Sequence, residues 1–125
     1  MQIHQSAEDY LETILMLNQR MGKVRSIDVV NELGFTKASV SIAMKKLREN
    51  GYVAVDGEGN LTLLEPGREI AERIYGRHRL LTDFFVQLGV DEAVAAEDAC
   101  KVEHVLSEQT LEKIRENVLR IQTNE

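Results

Sequence analysis

Cys100, Glu103 and His104 stand three and four residues apart within the segment 97–105. Read as a helix, that spacing sets a thiol, a carboxylate and an imidazole on one face, within reach of one ion. Sulfur, nitrogen and oxygen donors together suit a divalent transition metal better than calcium or magnesium. His78 upstream, and Asp9 with Glu12 near the N-terminus, can complete the shell from two other helices. Each residue also has a plainer account. Cys100 can be a small buried hydrophobe. Glu103 can be a surface ion-pair partner, His104 a capping or core histidine, and His78 a core histidine with a satisfied hydrogen bond. Asp9 can help cap its helix and Glu12 can be solvated. Local spacing leaves both accounts open.

The elements that must position these groups follow from pattern. Ser6 can cap a first helix whose first turn holds Glu8 and Asp9, where negative charge suits the dipole. Tyr10, Leu11, Ile14, Leu15 and Leu17 keep helical spacing as its buried side, and Gly22 ends it. Ser26 can cap a short second helix with Ile27, Val29, Val30 and Leu33 as its apolar side. Gly34 and Phe35 make a corner, Thr36 caps a third helix, and Asn50-Gly51 stops it. Two helices joined by a short glycine-containing turn are the helix-turn-helix pattern.

On the third helix Val40, Ala43, Met44 and Leu47 share one side, and Ala38, Ile42, Lys45, Lys46 and Glu49 the other. An isoleucine among lysines is out of place on a solvated face and fits a major groove. Ile42 and Ala38 can touch thymine methyl groups, and Ser39 can bond a base edge or a phosphate. Lys37, Lys45 and Lys46 would hold phosphates. Thr36 and Ser41 complete the residues expected at DNA. The alternative is a solvated helix in a winged-helix module that does not bind DNA.

Residues 52–55 and 61–64 are strand-rich, with a turn over 57–60, and a hairpin after a recognition helix is a wing. Its tip carries acid and no lysine or arginine, so little phosphate contact is expected there. Pro66 fits the start of a long helix with the stripe Ile70, Ile74, His78, Leu81, Phe85 and Leu88. Gly89 closes it and Asp91 caps the next, which buries Ala95, Ala99, Val102 and Leu106. Ser107 caps a last helix with the stripe Leu111, Ile114, Val118 and Ile121. The expected fold is mostly α with a small β-hairpin. A winged helix-turn-helix over 1–72 precedes an all-helical metal-binding and dimerisation domain over 73–125. The helical part has more apolar stripe than one small layer hides, which points to a homodimer. Such a dimer sets two recognition helices for successive half-sites.

The chain has 125 residues, 43% of them hydrophobic, and no run long enough to cross a membrane. No signal sequence opens it, and a single cysteine excludes an internal disulfide, so a reducing cytoplasm is expected. A net charge of −6 argues against nonspecific coating of nucleic acid. Basic residues still outnumber acids between positions 23 and 50, so the distribution permits DNA binding.

Taken together, Asp9-Tyr10-Leu11-Glu12, the helix-turn-helix with its wing, Arg77-His78-Arg79-Leu80-Leu81 and the run from Cys100 to Ser107 resemble one family. It is the DtxR/MntR family of metal-dependent transcriptional repressors, and the resemblance covers essentially the whole chain. The resemblance implies a dimeric, cytoplasmic repressor that binds double-stranded operator DNA when loaded with Mn(II) or Fe(II) and controls metal-homeostasis genes. It implies Asp9, His78, Cys100, Glu103 and His104 as metal ligands, with Glu12 as a ligand of the manganese-type branch. Cys100 is similar to the iron-type branch instead, so the two patterns are mixed. Carboxylates favour Mn(II), and sulfur pulls toward Fe(II), Co(II) or Zn(II), the last two expected in vitro. Thr82 and Ala96 stand where the iron-type branch carries ancillary ligands, so that second site is expected to be lost. The short two-domain form, without an SH3-like domain, is expected.

Two other functions compete. One is a winged-helix regulator that senses an organic ligand or mediates protein contacts. The other is a small metal-dependent hydrolase built on Cys100, Glu103 and His104. The sequence has no glycine-rich oxyanion or phosphate loop and no second base, and its ligands would fill the position that turnover needs open. The chain is therefore not expected to be an enzyme.

Overall fold

Alternation of apolar stripes with glycine and cap residues produces, in order, α1 (Gln5–Met21), α2 (Ser26–Leu33), α3 (Lys37–Glu49), β1 (Val53–Val55), β2 (Leu61–Leu63), α4 (Glu65–Gln87), α5 (Glu92–Val102) and α6 (Glu108–Thr123). The computed structural model describes residues 5–123. The fold is mostly α with a two-stranded hairpin, as the pattern predicts. The chain divides into two compact units, and the boundary falls between Arg73 and Ile74, inside α4.

In the first unit Tyr10, Leu11, Ile14, Leu15 and Leu17 of α1 are all buried, and α1 gives way to Gly22 at φ 82°. Ser6 lies within the first turn of α1 and not ahead of it, so the cap of that helix falls outside the described residues. Ser26 is likewise the first residue of α2, not its cap. The cap position is Arg25, and the Asp28 carboxylate reaches back to accept its backbone N–H at 2.8 Å. Val29 is fully buried, whereas Ile27 of the expected apolar side is exposed. Gly34 takes φ 71° and donates its N–H to the Val30 carbonyl at 2.8 Å, which ends α2. Thr36 caps α3, its Oγ1 accepting the Ser39 N–H at 3.1 Å.

The hairpin pairs Val53 with Leu63 and Val55 with Leu61. Asp56 organises its turn, accepting the N–H groups of Glu58 and Asn60 at 2.9 Å and the Asn60 side-chain amide at 3.0 Å. The bonds from Asn60 first, then the Glu58 N–H and nearby Lys23, hold the Asp56 carboxyl below the usual carboxylate range. The loop before α2 joins β2 as well. Leu61 donates to the Val24 carbonyl at 2.7 Å, and Arg25 bridges Asn60. At the start of α4, a Cβ on Gly67 would stand 2.2 Å from the Tyr52 carbonyl oxygen, so that close approach requires glycine.

In the second unit Leu81, Ala99 and Leu111 form the core, with Leu80, Phe85, Val102, Leu106 and Ile114 packed against it. The α4 stripe ends at Phe85, because Leu88 is 66% exposed. Gly89, at φ 106°, follows α4. Asp91 holds the cap position of α5 through its carbonyl, which accepts the Ala95 N–H at 2.8 Å, and not through its side chain. Ser107 Oγ accepts the Thr110 N–H at 3.2 Å and caps α6. Leu111 and Val118 are buried on α6; the Ile121 side chain lies outside the described residues. Among the described residues, no helix is long and apolar enough to cross a membrane.

Candidate metal centre and nucleic-acid interface

The segment 97–105 is not helical to its end. α5 stops at Val102, and Glu103 is its C-cap at φ −60°, ψ −24°, with its N–H bonded to the Ala99 carbonyl at 3.0 Å. Positions 103–105 then form a turn. By those angles the helical backbone runs through Glu103, so Cys100 and Glu103 keep their i, i+3 spacing. Cys100 is exposed on α5, whereas the Glu103 side chain is fully buried.

Two imidazoles close on that carboxylate. Nδ1 of His78, from α4, lies 3.0 Å from Oε2 of Glu103. Nε2 of His104 lies 3.4 Å from Oε1, and the His104 side chain is 2% exposed. Thr82 Oγ1 donates to the His78 carbonyl at 2.7 Å, tying the histidine's turn of α4. Oε1 of Glu103 is buried and accepts no hydrogen bond among the described residues. A buried carboxylate is costly unless a positive charge or donors compensate it. Two ring nitrogens and a carboxylate are donors that Mn(II), Fe(II), Co(II) and Zn(II) all accept. The donor set therefore fits a divalent transition metal. The surface ion-pair account of Glu103 does not survive this burial.

In the first unit, Asp9 is partly buried and Glu12 is 5% exposed, so Glu12 is not a solvated face residue. Burial, and then the charge of Asp9, raise the phenol pKa of Tyr10 between them. The Tyr10 ring meets Phe35 of the helix-turn-helix corner edge-on, with centroids 6.0 Å apart at 73°.

The outward side of α3 is as its periodicity predicts. Thr36, Lys37, Ala38, Ser39, Ser41, Ile42, Lys45 and Lys46 are all exposed, Ile42 at 58%, while Val40, Met44 and Leu47 are buried. A groove of about 290 Å³ runs between this side and the first turns of α1, where Ser6 and Ala7 face Ser39, Ile42 and Lys46. Sequence reasoning missed Ser6 and Ala7 as neighbours of the reading face, because the meeting of α1 and α3 is nonlocal. It also missed Arg77, whose guanidinium donates to the Glu103 carbonyl oxygen at 3.2 Å and pairs with Glu108.

The N-terminal DNA-binding domain of iron-dependent repressors matches residues 2–61, and their metal-binding and dimerisation domain matches residues 64–125. An HTH-type transcriptional regulator of Methanocaldococcus jannaschii is 37% identical over 113 residues, which are 89% of this chain and 90% of that one. The regulator MntR of Shouchella clausii is 33% identical over 120 residues, 96% of this chain and 84% of its own. Among solved structures, a manganese-dependent transcriptional repressor in complex with manganese is similar with a TM-score of 0.82 at 30% identity, over 90% of this chain and 52% of that one. The manganese regulator SloR is similar with a TM-score of 0.77 at 26% identity, over 94% of this chain and 54% of its own. The chain thus spans about half the length of these solved relatives.

Proposed function

Because the chain belongs to the iron-dependent repressor family, we propose that it is a cytoplasmic homodimer that represses transcription by binding operator DNA when a divalent metal is bound. Residues 1–72 read DNA, and residues 73–125 hold the metal and dimerise. One observation carries the metal reading: the fully buried Glu103 carboxylate has imidazole nitrogens at 3.0 and 3.4 Å. His78, Glu103 and His104 are the first ligands. Asp9, Glu12 and Cys100 join them on the residue-by-residue resemblance to the family. Mn(II) or Fe(II) is the physiological ion, with Co(II) and Zn(II) binding in vitro. Mn(II) is favoured by the carboxylates and by relatives that are named for manganese.

The bound ion supplies positive charge to buried carboxylates. The chain does the rest. Lys37, Lys45 and Lys46 grip phosphates and set register, and Ala38, Ser39 and Ile42 read base edges, with Thr36 and Ser41 beside them. Metal and DNA favour each other's binding, by roughly 1–3 kcal/mol for a coupling of this kind. The chain acts as a regulator of metal-homeostasis genes and not as an enzyme, since a carboxylate and histidine set that fills the ion's shell leaves no position for turnover.

The test joins metal analysis of protein purified without chelators or a histidine tag to DNA binding in each metal. Duplexes selected from a random pool with Mn(II) present should bind at least tenfold more weakly in excess EDTA. DNA affinity and dimerisation that ignore Mn(II), Fe(II), Co(II) and Zn(II) alike would replace this reading with an organic-ligand or protein-contact regulator. Hydrolytic turnover with any of those ions would bring back the enzyme.

A further inference from the structure

Two consecutive residues of α4 hold Glu103 at opposite ends. His78 meets its carboxylate, and Arg77 meets its backbone carbonyl, donating from one guanidinium nitrogen at 3.2 Å. The other terminal nitrogen of Arg77 pairs with the Glu108 carboxylate in the first turn of α6. The Arg77 side chain is 15% exposed, while Glu108 is 81% exposed. A carbonyl at a helix C-terminus has no partner within its own helix, and an arginine there satisfies it and complements the helix dipole. An acid in the first turn of α6 suits the opposite pole. One guanidinium thus joins the end of α5 to the start of α6, across the turn that carries Glu103 and His104.

We infer that Arg77 is a positioning residue for the metal centre: its two-pronged hold on the α5–α6 turn presets Glu103 and His104 before an ion arrives. It touches no metal and supplies no ligand. The inference rests on the proposed metal reading. The geometry of the fork matters, because a lysine ammonium is a single point donor on a flexible stem and does not span two acceptors in fixed directions. Outer partners that orient a ligand typically change metal affinity by about 10–100-fold when removed.

The experiment compares wild type, R77A, R77K and E108A in full-length protein. It measures Mn(II) affinity, ion count, the absorption spectrum of bound Co(II), and urea denaturation without metal. R77A and R77K should bind Mn(II) about tenfold more weakly, with the ion count unchanged and an altered Co(II) spectrum. E108A keeps the bond to the Glu103 carbonyl and should lose less than R77A. Wild-type Mn(II) affinity in R77A would overturn the inference, as would full rescue by R77K. A lower metal-free denaturation midpoint with an unaltered Co(II) spectrum would also overturn it, by showing a purely structural cap. If R77A does not fold, R77K and E108A decide on the same readouts. Wild-type protein that binds neither ion would remove the metal reading itself, which is a different outcome from equal binding by wild type and variants.

Discussion

Glu103 shows what a single residue can reveal and conceal. Its carboxylate is fully buried, and Oε1 accepts no hydrogen bond among the described residues. Burying a charge that neither a cation nor enough donors compensate costs several kcal/mol, a cost that a neutral amide of the same shape avoids. Glu103→Gln should therefore leave the metal-free urea midpoint at or above that of wild type. The same change should weaken Mn(II) binding by roughly 3 kcal/mol, about a hundredfold, on the scale of removing one partner of a buried ion pair. A lower midpoint in the metal-free variant would mean that the carboxylate is already well compensated. The types of the candidate ligands were legible in the sequence, but their burial was not. Helical spacing put Cys100 beside Glu103 but did not tell that Cys100 is exposed and Glu103 buried. From α1 alone Glu12 read as a solvated acid, since flanking an apolar stripe leaves the degree of burial to packing from distant segments, and it is 5% exposed.

At the scale of elements, the reading side of α3 was the most legible part of the chain. A 3.6-residue period sorts buried from exposed positions without knowledge of neighbours, and Thr36 is a local cap. Ser6 and Ser26 mislead as cap signals because serine serves equally well within a first turn, and the work of capping α2 falls to Asp28. The bond from Leu61 to the Val24 carbonyl was invisible, since backbone pairing between distant segments leaves no side-chain signature. Gly67 gives a sharp test. Its missing Cβ makes room for the Tyr52 carbonyl, which also accepts the Leu64 N–H at 3.0 Å. Gly67→Ala should destabilise the first unit by about 1–3 kcal/mol, the usual cost of overpacking, seen as a lower melting temperature. The wing turn gives another. The folded Asp56 carboxyl sits below its ordinary value, so its contribution is present above the unfolded pKa and is lost as pH falls through the folded one. The stability gap between wild type and Asp56→Asn should shrink in acid, as followed by urea midpoints at neutral and acidic pH. A gap that stays constant would mean that the turn draws nothing from the ionised form.

For the whole molecule, a net charge of −6 coexists with a basic, exposed helix. Attraction to phosphate is then local, and it should be read from salt dependence and not from the total. Each phosphate neutralised by a cationic side chain adds about 0.9 to the steepness of log affinity against log salt. Changing Lys45 and Lys46 together to alanine should make the slope shallower by roughly 2 per protomer while preserving the ranking of DNA sequences. A changed ranking with the slope intact would make these lysines readers of bases. The sequence pattern sets a hairpin between two runs of helix, and the structure has that order. The division between Arg73 and Ile74 lies within α4, so no change of element marks it.

The exposure of Cys100 gives the protein a built-in reporter, because it is the one thiol in the chain. A fluorescent maleimide should tag the chelated protein once, at a rate set by solvent access and thiolate fraction. If sulfur is drawn into the ion's shell, adding Mn(II) or Co(II) should slow that tagging in proportion to occupancy. An unchanged rate at full loading would assign the ion an all-oxygen-and-nitrogen environment, so the kinetics of one dye count the ligands.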